Sequence, residues 1–185
     1  VGGESTRPGA ALVETREEIE RVLPVIEQLA ARVTVPVSID TSKPDVMRAA
    51  VAAGARLIND VRALEAPGAL EAAAETGAAV CLMHMRGEPR SMQEDPRYGD
   101  VVGEVSAYLA GRLMACRGEG IDIGRLCVDP GIGFGKRTEH NLALLAALDR
   151  LADPEIPVLV GVSRKSLVGI ITGRPAGERL AGSVA

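Results

Sequence analysis

Aromatic side chains are almost missing from this sequence: there is no Trp, a single Phe and two Tyr among 185 residues. That scarcity removes the stacking platforms on which single-stranded nucleic acid is held, and it leaves the core to Ala, Val, Leu and Ile. Basic charge is not in excess either. Lys and Arg number 21 against 25 Asp and Glu, for a net charge of -4, whereas binding along a phosphate backbone needs a basic face. Nucleic acid is therefore excluded as the main partner. Cysteine is sparse: Cys81, Cys116 and Cys127 are widely spaced, with no CxxC and only two histidines. This excludes a disulfide framework and a structural zinc site and fits a reducing cytoplasm. There is no run of about 18 apolar residues and no signal peptide, so membrane and secretory readings are set aside. Neither a GxGxxG after a first strand nor a GxxxxGK[ST] phosphate loop occurs.

What is present is a repeating phrase of strand, loop and helix in a chain that is 46% hydrophobic. Over 13–33, Ile19, Val22, Leu23, Ile26 and Leu29 recur at helical spacing, with Pro24 as a local kink. VPVSIDT (35–41) reads as a buried strand. Helix 45–55 follows, closed by Gly54, then strand 56–61, helix 68–78 and strand 78–85. A polar loop leads to a helix over 101–119, strand and glycine loop over 125–136, helix 140–151, and a last apolar strand over 156–166. Such βα units predict an α/β fold with a parallel sheet and right-handed crossovers. Polar residues close every strand (Asp40, Asn59, His84, Asp129, Ser163 to Lys165), which favours a (β/α)8 TIM barrel over an open sheet with one switch point. A whole barrel needs eight strands and about 250 residues. The expectation is thus a single domain over 1–185, an incomplete barrel with about strands 2 to 7, truncated at both ends.

Several strand tips carry chemistry. Asp40 is a carboxylate at a strand end, which an N-cap role would equally explain. Of Asn59 and Asp60 only one can face the barrel mouth, and Asn59 is chosen because an amide both donates to and accepts from a heterocycle edge. Asp129 precedes Pro130 and the run Gly131, Gly133, Gly135, whose glycines let backbone approach a ligand beside Phe134. Gly161 inside a strand also suggests close approach, and Ser163, Arg164 and Lys165 are costly at a strand exit unless they face a site. Lys165 could act as a Schiff-base nucleophile or as a point-charge donor. Two carboxylates, one amide and one ammonium around Met83, Val61 and Phe134 suit a planar heterocycle with a donor edge and a carbonyl. Ser5, Thr6 and Arg7 in the opening loop suit an anion. His84 and His140 read as a packed strand-end residue and a helix-start residue, and the cysteines as small core residues.

ESTRPGA (4–10), SIDT (38–41), IND (58–60), LMHM (82–85), DPGIGFGK (129–136) and GVSRK (161–165) occur in the order that resembles the dihydropteroate synthase family. The resemblance implies a TIM-barrel transferase of folate biosynthesis that joins 6-hydroxymethyl-7,8-dihydropterin diphosphate to 4-aminobenzoate, releasing pyrophosphate, and that is a sulfonamide target. It implies pterin binding by Asp40, Asn59, Asp129 and Lys165, an apolar lining from Met83 and Phe134, and Thr6, Arg7, Gly161 and Ser163 near aminobenzoate and pyrophosphate. Asp40, Lys165 and Arg7 would be the catalytic groups. Mg2+ is the implied cofactor, with no metal ligand expected inside this chain, because the family's first-strand Asn loop and its last strand with Arg and His have no counterpart here. The diphosphate site is expected to be incomplete for the same reason. A cytoplasmic homodimer is the implied assembly. The competing reading is a pterin-binding methyltransferase domain or a non-catalytic paralogue. The ESTRPG and SRK motifs favour the synthase, since they serve aminobenzoate and diphosphate.

Overall fold

The computed structural model describes residues 1–7, 9–151 and 153–184. Pro8 of the opening motif and Ala185 of the closing RLAGSVA lie outside the described residues. The elements alternate as α1 (Thr15–Ala30), β1 (Ser38–Asp40), α2 (Pro44–Ala52), β2 (Leu57–Asp60), α3 (Ala69–Thr76) and β3 (Ala79–Met83). They continue with α4 (Val101–Gly118), β4 (Leu126–Asp129), α5 (Thr138–Leu145), α6 (Ser166–Thr172) and α7 (Leu180–Val184). The four strands form one parallel sheet in sequential order, β1-β2-β3-β4. Two isolated parallel bridges extend it, Gly2 to Asp40 on one edge and Val128 to Val158 on the other. Six chain segments therefore lie side by side, as expected for part of a barrel.

Two boundaries differ from the sequence reading. The expected strand over 156–166 is an extended segment joined to β4 at one bridge, through Val128 N to Pro157 O and Leu159 N to Val128 O. Among the described residues this segment pairs only with β4, through those two bonds. The expected helix over 140–151 ends at Leu145 and resumes as a 3-10 turn over Leu148–Arg150. Pro24 sits inside an unbroken α1.

Strand alternation divides the side chains cleanly. Ile39, Ile58, Val80 and Leu82 are fully buried against α1, α2 and α3, where Val22, Ile26, Val46, Met47 and Ala72 meet them. Val128 packs into a second cluster with Val105 and Leu109 of α4 and Leu144 of α5. Each such aliphatic side chain contributes roughly 1.5–3 kcal/mol on leaving water, and this outer layer holds the opposite face of the sheet in place.

The turn after β2 is built around Asp60. Its carboxylate, fully buried on the outer face, accepts from the Ser42 hydroxyl, from Arg62 N at 2.8 Å and from Leu64 N at 2.8 Å. Ala63 and Leu64 adopt left-handed φ of 48° and 61°, which is disfavoured for residues with a Cβ. Arg112 of α4 secures them by donating to Ala63 O at 2.8 Å and Leu64 O at 3.0 Å. Asp60 is thus a structural residue and Asn59 is the one free to face the barrel mouth. Replacing Asp60 with Ala orphans buried N–H groups beside a strained turn, and the expected loss is about 3 kcal/mol of stability. A shift of the urea midpoint too small for 1 kcal/mol would contradict this.

Candidate functional site

Lateral register assembles the site. Asp40 pairs with Asn59, Asn59 with Cys81, and Cys81 with Cys127, while Met83 pairs with Asp129 two residues further along. Residues paired side by side in a sheet project to the same face, and so do residues two apart on one strand. The face opposite the helices therefore carries Asp40, Asn59, Cys81 and Cys127 in one row and Met83 and Asp129 in the next, at the carboxyl ends of the strands. Barrel active sites occupy that end.

The carboxylates are held out of water. Burial is the main cause that raises the Asp40 carboxyl above its ordinary pKa, opposed by a hydrogen bond from Asn59 and reinforced by the charge of Asp60. Burial likewise raises Asp129, against the pull of the Gly131 N–H, Lys165 and Lys136; Gly131 N donates to Asp129 Oδ1 at 2.7 Å. Asp40 also lines a cavity of about 410 Å3, with Thr6, Ser42, Val61, Arg62 and Glu88.

The glycine loop after β4 brings the cations to the same place. Lys165 donates to Ile132 O, and its ammonium lies 4.9 Å from the Phe134 ring centroid. Burial pulls its pKa down while Asp129 holds it up. Gly161 is adjacent: a Cβ there would stand 3.6 Å from Lys165 Nζ. Gly131 and Gly135 are required by space as well as by conformation. Their φ values are 68° and 61°, and a Cβ would fall 1.9 Å from His84 O and 2.3 Å from Arg86 O respectively. The loop thus presses directly on the backbone after β3.

Lys136, which the sequence leaves without a role, is what gathers this loop. It is 3% exposed. Its ammonium reaches Gly131 O at 3.0 Å, Phe134 O at 2.9 Å, His84 O at 3.2 Å and His84 Nδ1 at 2.9 Å. His84 is accordingly a neutral acceptor at Nδ1, its pKa lowered to about 3 by burial and by the Lys136 and Arg86 charges. Its place at a strand end, packed against Tyr108, agrees with the sequence reading. His140 sits in the first turn of α5, where its Nδ1 accepts from Arg137 N at 3.1 Å. The sole hint to Lys136 in the sequence is its position at the end of the glycine run.

Lys43 is a second residue that the sequence reading missed. It binds both Glu4 of the opening loop and Glu18 of α1. Burial lowers its pKa, but the two carboxylates outweigh that and leave it raised. Glu18 is 1% exposed, and its Oε1 has no partner among the described residues.

Not every expected site residue joins this group. Thr6 lies on the cavity wall with Asp40, whereas Arg7 is exposed and lines an adjoining depression, with Gly9, Val13 and Arg21, that shares Ser5, Ala10 and Leu12 with the cavity. Ser163 is exposed beside Arg164, whose φ of 58° marks a strained strand exit. Nor do the cysteines form one class. Cys116 and Cys81 are buried, but Cys127 is only half-buried and on the inner face, a correction to reading all three as core residues.

The Lys136 ammonium has a pKa lowered to about 7, burial being the main cause, with Asp129 opposing and Lys165 and Arg86 assisting. Between about pH 7 and the ordinary lysine value near 10.4, the unfolded chain binds the proton that the folded chain has lost. Stability therefore rises with pH across that window, by up to about 1.4 kcal/mol per unit. Urea denaturation from pH 7 to 10 should show this rise in the native chain and a flatter profile in Lys136→Met; identical profiles would contradict it.

The whole chain, residues 1–185, matches the family described as pterin binding enzyme. It is 53% identical over 185 residues to dihydropteroate synthase of Escherichia coli strain K12. Its fold is similar to that of the Yersinia pestis dihydropteroate synthase solved with a sulfonamide drug complex, with a TM-score of 0.95 and 51% identity over 98% of this chain and 66% of that one. It is also similar to the Xanthomonas albilineans dihydropteroate synthase solved with 4-aminobenzoic acid, with a TM-score of 0.93 and 54% identity over 99% of this chain and 65% of that one. The match spans all of this chain and 66% of the length of the curated Escherichia coli relative. The family match over residues 1–185 and the 53% identity establish that the chain belongs to the pterin binding enzyme family.

Proposed function

We propose that the chain carries the pterin- and aminobenzoate-binding face of a dihydropteroate synthase. The observation that carries this reading is the convergence of Asp40, Asn59, Asp129 and Lys165 at one end of the sheet. Asp129 and Asn59 would take the N–H edge of the pterin, and Lys165 a ring nitrogen or carbonyl oxygen, because carboxylates accept and an ammonium only donates. Met83 and Phe134 would cover the ring faces. Thr6, Arg7, Gly161 and Ser163 are proposed near aminobenzoate and pyrophosphate.

The reaction is substitution at the pterin methylene. Its C–O bond breaks, diphosphate leaves with the electron pair, and the positive charge spreads into the ring, where the Asp40 carboxylate stabilises it. The aminobenzoate nitrogen then forms the new C–N bond and gives a proton to solvent. The aryl amine is neutral at pH 7, so no general base is needed. Among the described residues no group of three or more His, Cys, Asp or Glu side chains could hold a metal ion. Mg2+, the cofactor that the resemblance implies, is proposed to arrive on the diphosphate, whose oxygens suit a hard cation, and no step is routed through it. A homodimer is proposed on the family resemblance alone. A cytoplasmic location is supported by three free cysteines, and no helix among the described residues is long and apolar enough to cross a membrane.

Calorimetric titration with the dihydropterin tests the binding half of this reading. Asp129→Ala should weaken binding on the order of 100-fold, as loss of a buried, partnered carboxylate does; an unchanged affinity would place the pterin elsewhere. Pyrophosphate release that requires both substrates tests the chemical half. In that assay Asp40→Asn should lower turnover far more than pterin affinity, whereas equal losses would leave Asp40 a binding role only.

A further inference from the structure

Cys81 and Cys127 are Cα partners on the adjacent strands β3 and β4. Their side chains leave the sheet on the face that also carries Asp40, Asn59 and Asp129. Both are free thiols. Neighbouring strands run about 4.8 Å apart, within the roughly 4.4–6.8 Å of Cα separation that a disulfide spans. The third thiol, Cys116, is buried in the helix-side core of α4. The mechanism above uses neither Cys81 nor Cys127.

We propose that Cys81 and Cys127 form a modification site on the sheet face proposed to bind pterin, where exchange with a small disulfide of the glutathione class closes them into an intrachain disulfide and weakens pterin binding. The effect on binding rests on the pterin reading of this face; the bridge itself does not. Exposure sets the order of events. Cys127 is half-buried and Cys81 fully buried, so Cys127 meets the reagent and Cys81 resolves the intermediate. The adjoining Cys81 thiol pulls Cys127 below its ordinary pKa, while Cys127 and burial push Cys81 above its own. Thiolate is the attacking form.

The exchange balances. Cys127 thiolate attacks one sulfur of the small disulfide, forming a mixed disulfide and expelling one small thiolate. Cys81 then loses its proton, attacks Cys127 Sγ and expels the second small thiolate. Two protein thiols are oxidised to one disulfide while the small disulfide is reduced to two thiols. Closure draws the two Cβ atoms to about 3.8 Å, nearer than strand spacing places them. Asn59 is lateral partner of Cys81 and Asp129 lies two residues beyond Cys127, so both pterin contacts shift. Displacements on the order of 1 Å are enough to damage such a site.

The test treats the reduced native chain with oxidised glutathione and reads intact mass, disulfide peptide maps and dihydropterin affinity. The expected result is loss of two hydrogens, a Cys81–Cys127 peptide, about tenfold weaker pterin binding, and recovery of both with dithiothreitol. Cys81→Ser should instead trap one glutathionyl group on Cys127, a signature that does not depend on how Cys127→Ser folds. Unchanged mass, an adduct that persists on Cys127 of the native chain, or a bridge to Cys116 would each overturn the proposal. So would a bridged chain that binds pterin as tightly as the reduced one. If the reduced chain binds no dihydropterin at all, the pocket reading fails, and the bridge is still decided by mass alone.

Discussion

Register between parallel strands is the constraint on which the rest of this molecule depends. A slip of one residue would turn Asp40, Asn59 and Asp129 into the helix layer and put Ile39, Ile58 and Val128 at the barrel mouth. The fully buried aliphatic side chains on the outer face prevent that slip. The site is consequently a by-product of core packing: the side chains that bury themselves against α1 to α5 dictate which alternate residues remain for the ligand. The Asp60 turn repeats the logic on a smaller scale, for by accepting two backbone N–H groups on the outer side it commits Asn59 to the inner one.

A second level of organisation is electrostatic. Asp129, Lys165 and Lys136 lie in one poorly solvated neighbourhood, and burial raises the first and lowers the other two. Attraction between Asp129 and each lysine opposes all three shifts, whereas repulsion from Lys165 adds to the shift of Lys136. Lys136 differs from Lys165 in having its donors already occupied by the carbonyls of Gly131, Phe134 and His84. It shapes the loop, whereas Lys165, stacked near Phe134, remains turned toward the inner face. One motif, DPGIGFGK, thus supplies a ligand-facing acid, an apolar wall and the ammonium that ties them to β3.

Legibility followed the range of the interactions involved. The amphipathic period of α1 and the βα alternation were readable because period and alternation are local properties; alternation also said that only one of Asn59 and Asp60 could face inward, and the choice of Asn59 rested on amide chemistry. The glycine run was readable as a close-approach loop, and the backbone it approaches is that of His84 and Arg86. The segment over 156–166 was over-read as a full strand, because an apolar run predicts extended backbone but not how many neighbours will pair with it. Lys136 and Lys43 were missed because each bridges partners far away in the chain, Lys136 to His84 and Lys43 to Glu4 and Glu18.

The sequence by itself determined the class of fold, the strand tips that carry polar chemistry and, through six ordered motifs, the family. Those are short-range features, encoded in composition and spacing. Tertiary structure alone decided that Cys81 stands beside Cys127 and that Lys136 closes on the strand before it. It also decided that Arg7 lines a depression beside the Asp40 cavity rather than the cavity itself. Lateral pairing and loop packing join residues tens of positions apart, and no local spacing specifies which of them will meet.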